Sequence, residues 1–378
     1  MKTSKFYNLL KQNKIDFFTG VPDSLLKSFI QYITKHENKN NHIISANEGS
    51  AIGIAIGYNL ATQKIPLVYM QNSGLGNAVN PILSLADKKV YSIPMLLVIG
   101  WRGQPGIHDE PQHLAQGAVT KRILNSMNIP FLLVSKKTKP AEIKNFIKKI
   151  QKNVSPAALL LTKDALEEDV KLFSVKSKYK LSREEVIKKI VDSLSKNDVI
   201  VSTTGMASRE LYEYLKSSKI KIANFLTVGG MGHASQISLG IAIKNKKRKV
   251  ICLDGDGSLI MHLGSLSTIG TNSNLNLTHF ILNNGVHGSV GDQPTAGFKI
   301  DFLKIADACG YDYIYRCENS IELQSVLKKI SKQKGKIFIE IRLNTDFRSN
   351  LGRPESKPIG NKLEFIRYLT RKEKKRNI

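Results

Sequence analysis

Leu253-Asp254-Gly255-Asp256-Gly257-Ser258, answered by Leu282-Asn283-Asn284-Gly285, is the stretch that decides how this chain folds. Lys249 to Leu253 is a short apolar run of strand type whose carboxyl end delivers Asp256, and Leu277 to Leu282 is a second such run ending on Asn284. The intervening His262 to Gly270 has the spacing of a helix, so the two strand ends are expected side by side in a parallel sheet. A hard divalent cation such as Mg2+ takes oxygen ligands. One carboxylate, one amide oxygen and a backbone carbonyl would hold it and leave positions for phosphate oxygens and water. Gly255 and Gly257 allow close backbone approach to a diphosphate, and the amides of a helix opening near Ser258 supply donors. Asp-Gly and Asn-Gly are also ordinary turn formers, so the pair needs support from the rest of the chain.

That support begins with organisation. A chain of 378 residues exceeds what one hydrophobic core usually serves, so two domains are expected. In the first half, apolar strand-like runs alternate with helical periodicity: Ile15 to Thr19, His42 to Ala46, Pro66 to Gln71, Met95 to Gly100, Phe131 to Val134 and Pro156 to Leu161. The second half repeats the plan with Val199 to Thr203, Asn224 to Val228, Lys249 to Leu253, Leu277 to Leu282, Tyr311 to Arg316 and Lys336 to Leu343. Alternation of this kind specifies an α/β fold with two domains, each a mainly parallel six-stranded sheet covered by helices on both faces. The charged, aperiodic stretch around Lys163 to Lys180 separates them, giving a first domain over 1–165, a linker over 166–181 and a second domain over 182–378. The tail Arg371 to Ile378 is expected to fray.

Composition narrows the function classes. The net charge of +26 comes from lysines spread along the whole chain, without a zinc-finger, bZIP or RNP-type motif. It reads as a basic surface, not a nucleic-acid interface. The competing reading of another class is a basic nucleic-acid-binding protein on a degenerate enzyme fold. Cys252, Cys309 and Cys317 form neither a disulfide framework nor a metal knuckle, which suits a reducing cytoplasm. The longest apolar runs, such as Met95 to Ile99, are too short to span a bilayer, so no membrane partner is expected.

In open parallel sheets, ligands gather beyond the carboxyl ends of the strands. After His42 to Ala46 comes Asn47-Glu48-Gly49-Ser50, opening a helix rich in glycine and apolar residues, an unusual place for a carboxylate. An isolated glutamate there would merely complement the positive helix end. Asp23 and Ser24 read first as an N-cap pair for a helix beginning near Leu25. The loop Trp101 to His113 is long and polar, carrying Arg102, His108, Asp109, Glu110 and His113. Arg102 is suited to clamping a phosphonate or carboxylate, or alternatively to pairing with Asp109 or Glu110. Ser202-Thr203-Thr204-Gly205 and Thr227-Val228-Gly229-Gly230-Met231-Gly232-His233 each close a strand with small or glycine-rich residues.

These motifs together resemble the thiamine-diphosphate-dependent 2-oxo acid decarboxylases, and the resemblance covers nearly the whole chain. It rests on Asp256 with Asn284, on Gly20-Val21-Pro22-Asp23-Ser24 and on Tyr69-Met70-Gln71-Asn72-Ser73-Gly74. It rests further on Gly100-Trp101-Arg102-Gly103-Gln104-Pro105-Gly106-Ile107-His108-Asp109-Glu110-Pro111-Gln112-His113, and on Leu351-Gly352-Arg353-Pro354. The resemblance implies two thiamine-diphosphate-binding-fold domains, a pyrimidine-binding one first and a diphosphate-binding one second, with thiamine diphosphate and Mg2+ as cofactors. It implies that Asp256, Asn284 and the carbonyl of Val286 hold the metal. Thr203, Thr204, Gly205, Gly257 and Ser258 would meet the cofactor, Gly229 would accept from its exocyclic amine, and Met231 would wedge between its rings. Glu48 would hydrogen-bond the aminopyrimidine nitrogen, from a subunit other than the one holding the metal, so a homodimer or higher homo-oligomer is expected. Asp23 and His113 are the further catalytic candidates, with Ser24, Arg102 and His108 binding a small anionic 2-oxo acid. The reaction implied is decarboxylation of 3-phosphonopyruvate to phosphonoacetaldehyde and CO2, as in 2-aminoethylphosphonate biosynthesis, with sulfopyruvate as the alternative substrate.

Overall fold

The computed structural model describes residues 1–169, 175, 177–355 and 357–370. The tail 371–378 and most of the central part of the expected linker lie outside the described residues. The chain forms two compact units, Met1–Val175 with His287–Pro294, and Lys176–Val286 with Thr295–Ile378. The grouping of 287–294 with the first unit has no counterpart in the sequence pattern.

The first unit contains α1 (Thr3–Gln12), β1 (Phe18–Gly20), α2 (Lys27–His36), β2 (His42–Ile44), α3 (Glu48–Thr62), β3 (Leu67–Gln71), α4 (Leu75–Pro81), β4 (Leu96–Gly100), α5 (Pro111–Ser126), β5 (Phe131–Val134), α6 (Pro140–Asn153) and β6 (Ala157–Leu161). Its strands lie in the order β2-β1-β3-β4-β6-β5, all parallel. Because both faces of such a sheet are covered, the central strands are continuously apolar, as in Leu96 to Gly100, where every residue is buried. Phe6, Phe18, Phe29, Leu67 and Ile147 fill one face, and Ile52, Val68, Leu75, Leu97 and Trp101 fill the other.

The second unit adds α7 (Arg183–Asp192), β7 (Val199–Ser202), α8 (Met206–Ser218), β8 (Ala223–Leu226), α9 (Ala234–Lys244), β9 (Val250–Gly255), α10 (Asp256–Met261), α11 (Ser265–Gly270) and β10 (Leu277–Asn283). A small ribbon follows, β11 (Val286–His287) with β12 (Gln293–Pro294), then α12 (Phe302–Cys309), β13 (Tyr313–Cys317), α13 (Ser320–Ile330), β14 (Lys336–Arg342) and α14 (Pro358–Thr370). Its sheet order is β13-β14-β10-β9-β7-β8. Renumbered from its own first strand and read from the other edge, this is the order of the first unit. The two halves therefore share one topology, with the strand order reversing between their first and third strands, where ligand crevices form.

All twelve expected strands are present in these two sheets, with ends displaced by a few residues. Two local expectations are corrected. The helix expected over His262 to Gly270 starts late, as α11 (Ser265–Gly270), because His262 to Gly264 forms a break after the separate short helix α10 (Asp256–Met261). Asp23 and Ser24 do not cap α2, whose N-cap position is Leu26. Asp23 instead accepts from the amide of Leu25 at 3.0 Å, closing the turn that precedes the helix.

Candidate active site

In the first unit, Asp23 follows β1 and Gln71 ends β3, the two strands flanking the reversal point. Their side chains meet there: Gln71 Nε2 donates to Asp23 Oδ1 at 2.8 Å. Asp23 is fully buried, and that burial raises its hold on a proton despite the opposing bonds from Gln71 and the charge of Arg102.

Glu48 is the first residue of α3. Asn47 caps the helix by accepting from the amide of Ser50 at 2.9 Å, which fixes where the helix starts and therefore where Glu48 points. Glu48 is buried, and desolvation raises its proton affinity, with Asn77 Nδ2 donating to Oε2 at 2.7 Å in partial opposition. The other wall of this carboxyl is Gly74. A Cβ there would fall inside the contact radius of the Glu48 carboxyl group, so only glycine fits. Beyond Glu48, α3 leaves Gly53, Gly57 and Leu60 exposed, an apolar and small-residue face unlike an ordinary solvent-facing helix.

The loop after β4 is organised by Asp109. Arg102 Nε donates to Asp109 Oδ2 at 2.8 Å, and Arg102 Nη2 pairs with Oδ1. The amides of Gly103 and Glu110 each donate to the same carboxylate at 2.8 Å, and His113 Nδ1 lies 2.9 Å from Oδ1. Burial acts to raise the Asp109 proton affinity, but Arg102, His113 and the Gly103 amide outweigh it and hold the carboxyl below its ordinary range. Arg102 also donates from Nη1 to Ser24 Oγ at 2.7 Å, and Asn72 anchors the Arg102 backbone on both sides, at 2.9 and 3.1 Å. The geometry thus joins Arg102 and His113 through Asp109 and Ser24 through Arg102, while His108 is exposed and lies outside that cluster.

The second unit gathers the expected diphosphate residues. Gly255 is in register with Leu282, so the ends of β9 and β10 are adjacent and Asp256 stands beside Asn284. The Asp256 carboxylate accepts from the backbone amides of Asn284 and Gly257, and Thr295 Oγ1 donates to its Oδ2. Burial nevertheless dominates and pushes Asp256 up to about 6. Val286 N donates to Asn284 Oδ1 at 3.3 Å, which folds the turn so that the Val286 backbone stays close to the amide side chain. Carboxylate, amide and carbonyl donors are all oxygen, a set that fits a hard cation such as Mg2+. Thr203, at the end of β7, has its hydroxyl 3.0 Å from that of Ser258, which also accepts from the amide of Gly232 at 3.0 Å. Three strand ends are thereby tied together. Thr204, Gly205 and Met231 are partly exposed beside this cluster, as are Gly229 and Gly257.

Several residues in these arrangements have a larger part than the sequence assigns them, or have none there at all. Asp109 was expected only as an alternative partner of Arg102, and that pairing is the one present, with His113 one helical turn further on joining it. Asn77, Gly74, Asn283 and Thr295 are assigned no part, because each acts through a contact that only the fold creates.

Comparison with known proteins agrees with this geometry. Residues 3–124 match the thiamine pyrophosphate enzyme N-terminal TPP binding domain, and residues 203–341 match the C-terminal TPP binding domain of the same enzymes. The chain is 30% identical over 370 residues to the phosphonopyruvate decarboxylase of Streptomyces viridochromogenes, covering 93% of this chain and 90% of that one. It is 31% identical over 356 residues to the phosphonopyruvate decarboxylase of Streptomyces hygroscopicus, covering 90% and 86%. The sulfopyruvate decarboxylase of Methanosarcina acetivorans is 27% identical over 364 residues, covering 90% of each chain.

Proposed function

The chain belongs to the thiamine pyrophosphate-dependent decarboxylases, and on that premise we propose that it removes CO2 from 3-phosphonopyruvate to give phosphonoacetaldehyde. The observation that carries the reading is the pairing of Asp256 with Asn284 at adjacent strand ends. Asp256, Asn284 and the Val286 carbonyl would hold Mg2+. Thr203, Thr204, Gly205, Gly257 and Ser258 would hold the diphosphate, and the Gly229 carbonyl and the Met231 side chain would meet the rest of the cofactor. Thiamine diphosphate, when bound, supplies the electron sink that accepts the pair left by departing CO2.

The chain's own groups do the rest. Glu48, kept protonated more readily than an ordinary glutamate, would hold a proton toward the aminopyrimidine nitrogen of the bound cofactor. Asp23 and His113 hold the proton that replaces the lost carboxylate. Arg102, with Ser24 on the same guanidinium, binds the anionic end of the substrate, and His108 lies on the exposed part of the same loop. No redox step is required, because the electron pair returns to carbon with a proton.

A second copy of the chain covers the small-residue face of α3, so that Glu48 of one subunit serves the metal site of another. Sedimentation of an active monomer would contradict this arrangement. Among the described residues no helix is long and apolar enough to cross a membrane. A cytoplasmic location is part of this reading, and it rests on the odd, widely spaced set Cys252, Cys309 and Cys317.

The deciding assay incubates the protein with thiamine diphosphate, Mg2+ and each of phosphonopyruvate, sulfopyruvate and pyruvate, following CO2 and aldehyde. Highest kcat/KM on phosphonopyruvate is expected. Preference for sulfopyruvate would transfer the chain to the activity named for its methanogen relative.

A further inference from the structure

Behind the Asp256 and Asn284 pair lies a connected set of buried polar groups that the proposed chemistry does not use. Glu340, on β14, is fully buried in the sheet. It accepts from Asn283 Nδ2 at 2.7 Å, from Arg316 Nε at 2.8 Å and from Arg342 Nε at 3.2 Å. Asn283 in turn presents Oδ1 to the amide of Gly285 at 3.1 Å and donates from Nδ2 to the carbonyl of Gly297 at 2.8 Å. One amide thus grips both the turn that carries Asn284 and the segment 295–297.

That segment lies directly against Asp256. The Thr295 hydroxyl donates to Asp256 Oδ2, the Thr295 amide donates to the Gly285 carbonyl at 2.9 Å, and the Gly297 amide donates back to the Thr295 hydroxyl at 3.0 Å. A Cβ on Gly297 would stand 2.6 Å from Asn283 Oδ1 and 3.0 Å from Asp256 Cβ, so the strap is seated without slack. Arg342 completes the frame: its guanidinium donates to Tyr179 Oη at 2.8 Å and stacks 5.4 Å from the ring centre of Phe298, one residue beyond the strap.

We propose that Thr295, Asn283 and Glu340 are positioning residues for the metal and diphosphate site. Glu340 orients Asn283, Asn283 locks the Asn284 turn to the strap, and Thr295 sets the rotation of the Asp256 carboxylate. The three act through Asp256 and Asn284 and touch no substrate. A carboxylate is costly to bury, and its place beneath this turn is explained if rigidity there is what cation binding requires.

The inference rests on the proposed function, and its test separates the two. Mn2+ binding to the full chain is measured by electron paramagnetic resonance at saturating thiamine diphosphate, beside the thermal midpoint of each variant without ligands. Thr295→Val, which keeps shape and deletes the hydroxyl, and Glu340→Gln are each expected to weaken Mn2+ binding about 10- to 100-fold, the range for outer-shell partners of metal ligands. Thr295→Ser should restore it to within a few-fold, and Thr295→Val, which loses two hydrogen bonds, should lower the melting midpoint by only several degrees and leave a cooperative transition. Should Glu340→Gln fail to fold, Thr295→Val and its serine rescue still decide the matter. Wild-type Mn2+ affinity in Thr295→Val would overturn the proposal and leave the function standing. Absence of Mn2+ uptake by the wild type would overturn both.

Discussion

Replacing Asp256 with asparagine should strengthen the cofactor-free fold at neutral pH while abolishing uptake of thiamine diphosphate with Mg2+. Burial lifts this carboxyl from an ordinary 3.8 to about 6. A folded-state value above the unfolded one means that the native chain binds the proton more tightly. The associated stability is fully present below the unfolded value and is lost as pH rises through about 6. At about 1.4 kcal/mol per unit, the total loss is about 3 kcal/mol, of which about 1.4 kcal/mol falls between about pH 5 and pH 8. Asparagine carries no charge to desolvate, but its amide nitrogen faces one of the donors that Asp256 accepts from, costing about 1 kcal/mol. The variant should therefore be about 2 kcal/mol more stable than wild type at about pH 8, with the two curves crossing between about pH 4 and pH 5. Urea denaturation of both proteins in EDTA across this range measures the difference, and calorimetry with thiamine diphosphate and Mg2+ measures the loss of binding. Parallel stability curves would refute the reasoning, since they would mean that Asp256 titrates normally.

Glu48→Gln should retain the cofactor but slow exchange of its thiazolium C2 proton by at least about 100-fold, the low end of what a positioned proton-transfer group contributes; NMR exchange rates equal to wild type would remove Glu48 from its role. Gly74→Ala should produce the same slowing, because the added methyl displaces the Glu48 carboxyl, while melting of the chain changes by only about 1–3 kcal/mol. Asp109→Ala should destabilise the protein by about 1–3 kcal/mol and raise KM for the anionic substrate, since Arg102, His113 and two backbone amides lose a common acceptor. Steady-state kinetics with unchanged KM would detach that cluster from substrate binding.

The topology was legible because a parallel sheet buried on both faces writes itself as uninterrupted apolar runs, and all six runs in each half became strands. The break between α10 and α11 was not, because His262 to Gly264 contains no proline and its glycine falls within an otherwise helical spacing. Asp256, Asn284 and Glu48 could be singled out because each stands at the end of a strand beside glycine or at a helix start. The groups that hold them could not. Asn77 reaches Glu48 from 29 residues away, Thr295 reaches Asp256 from 39, and Asn283 and Glu340 are 57 apart. Side chains paired across such separations leave no periodic trace, and asparagine or threonine at those positions looks like any loop residue.

Asp109 and Asp256 show why environment, more than residue type, assigns the chemistry. Both are aspartates in the loops beyond parallel strands, and both are largely buried. Around Asp109 stand a guanidinium, an imidazole and two amides, and the carboxyl is held below its ordinary range. Its stabilising contribution is present above the ordinary carboxylate value and is lost only as pH falls through its depressed one, so it strengthens the fold at neutral pH. Asp256 has backbone amides and the Thr295 hydroxyl but no guanidinium or ammonium among its named partners, and it is held above its ordinary range. At neutral pH it weakens the fold that buries it. A carboxylate satisfied by internal cations belongs to the scaffold, whereas one that burial leaves short of positive charge gains most from an external cation. The opposite pH slopes expected for the Asp109 and Asp256 variants therefore distinguish a structural ion pair from a metal ligand without any turnover being measured.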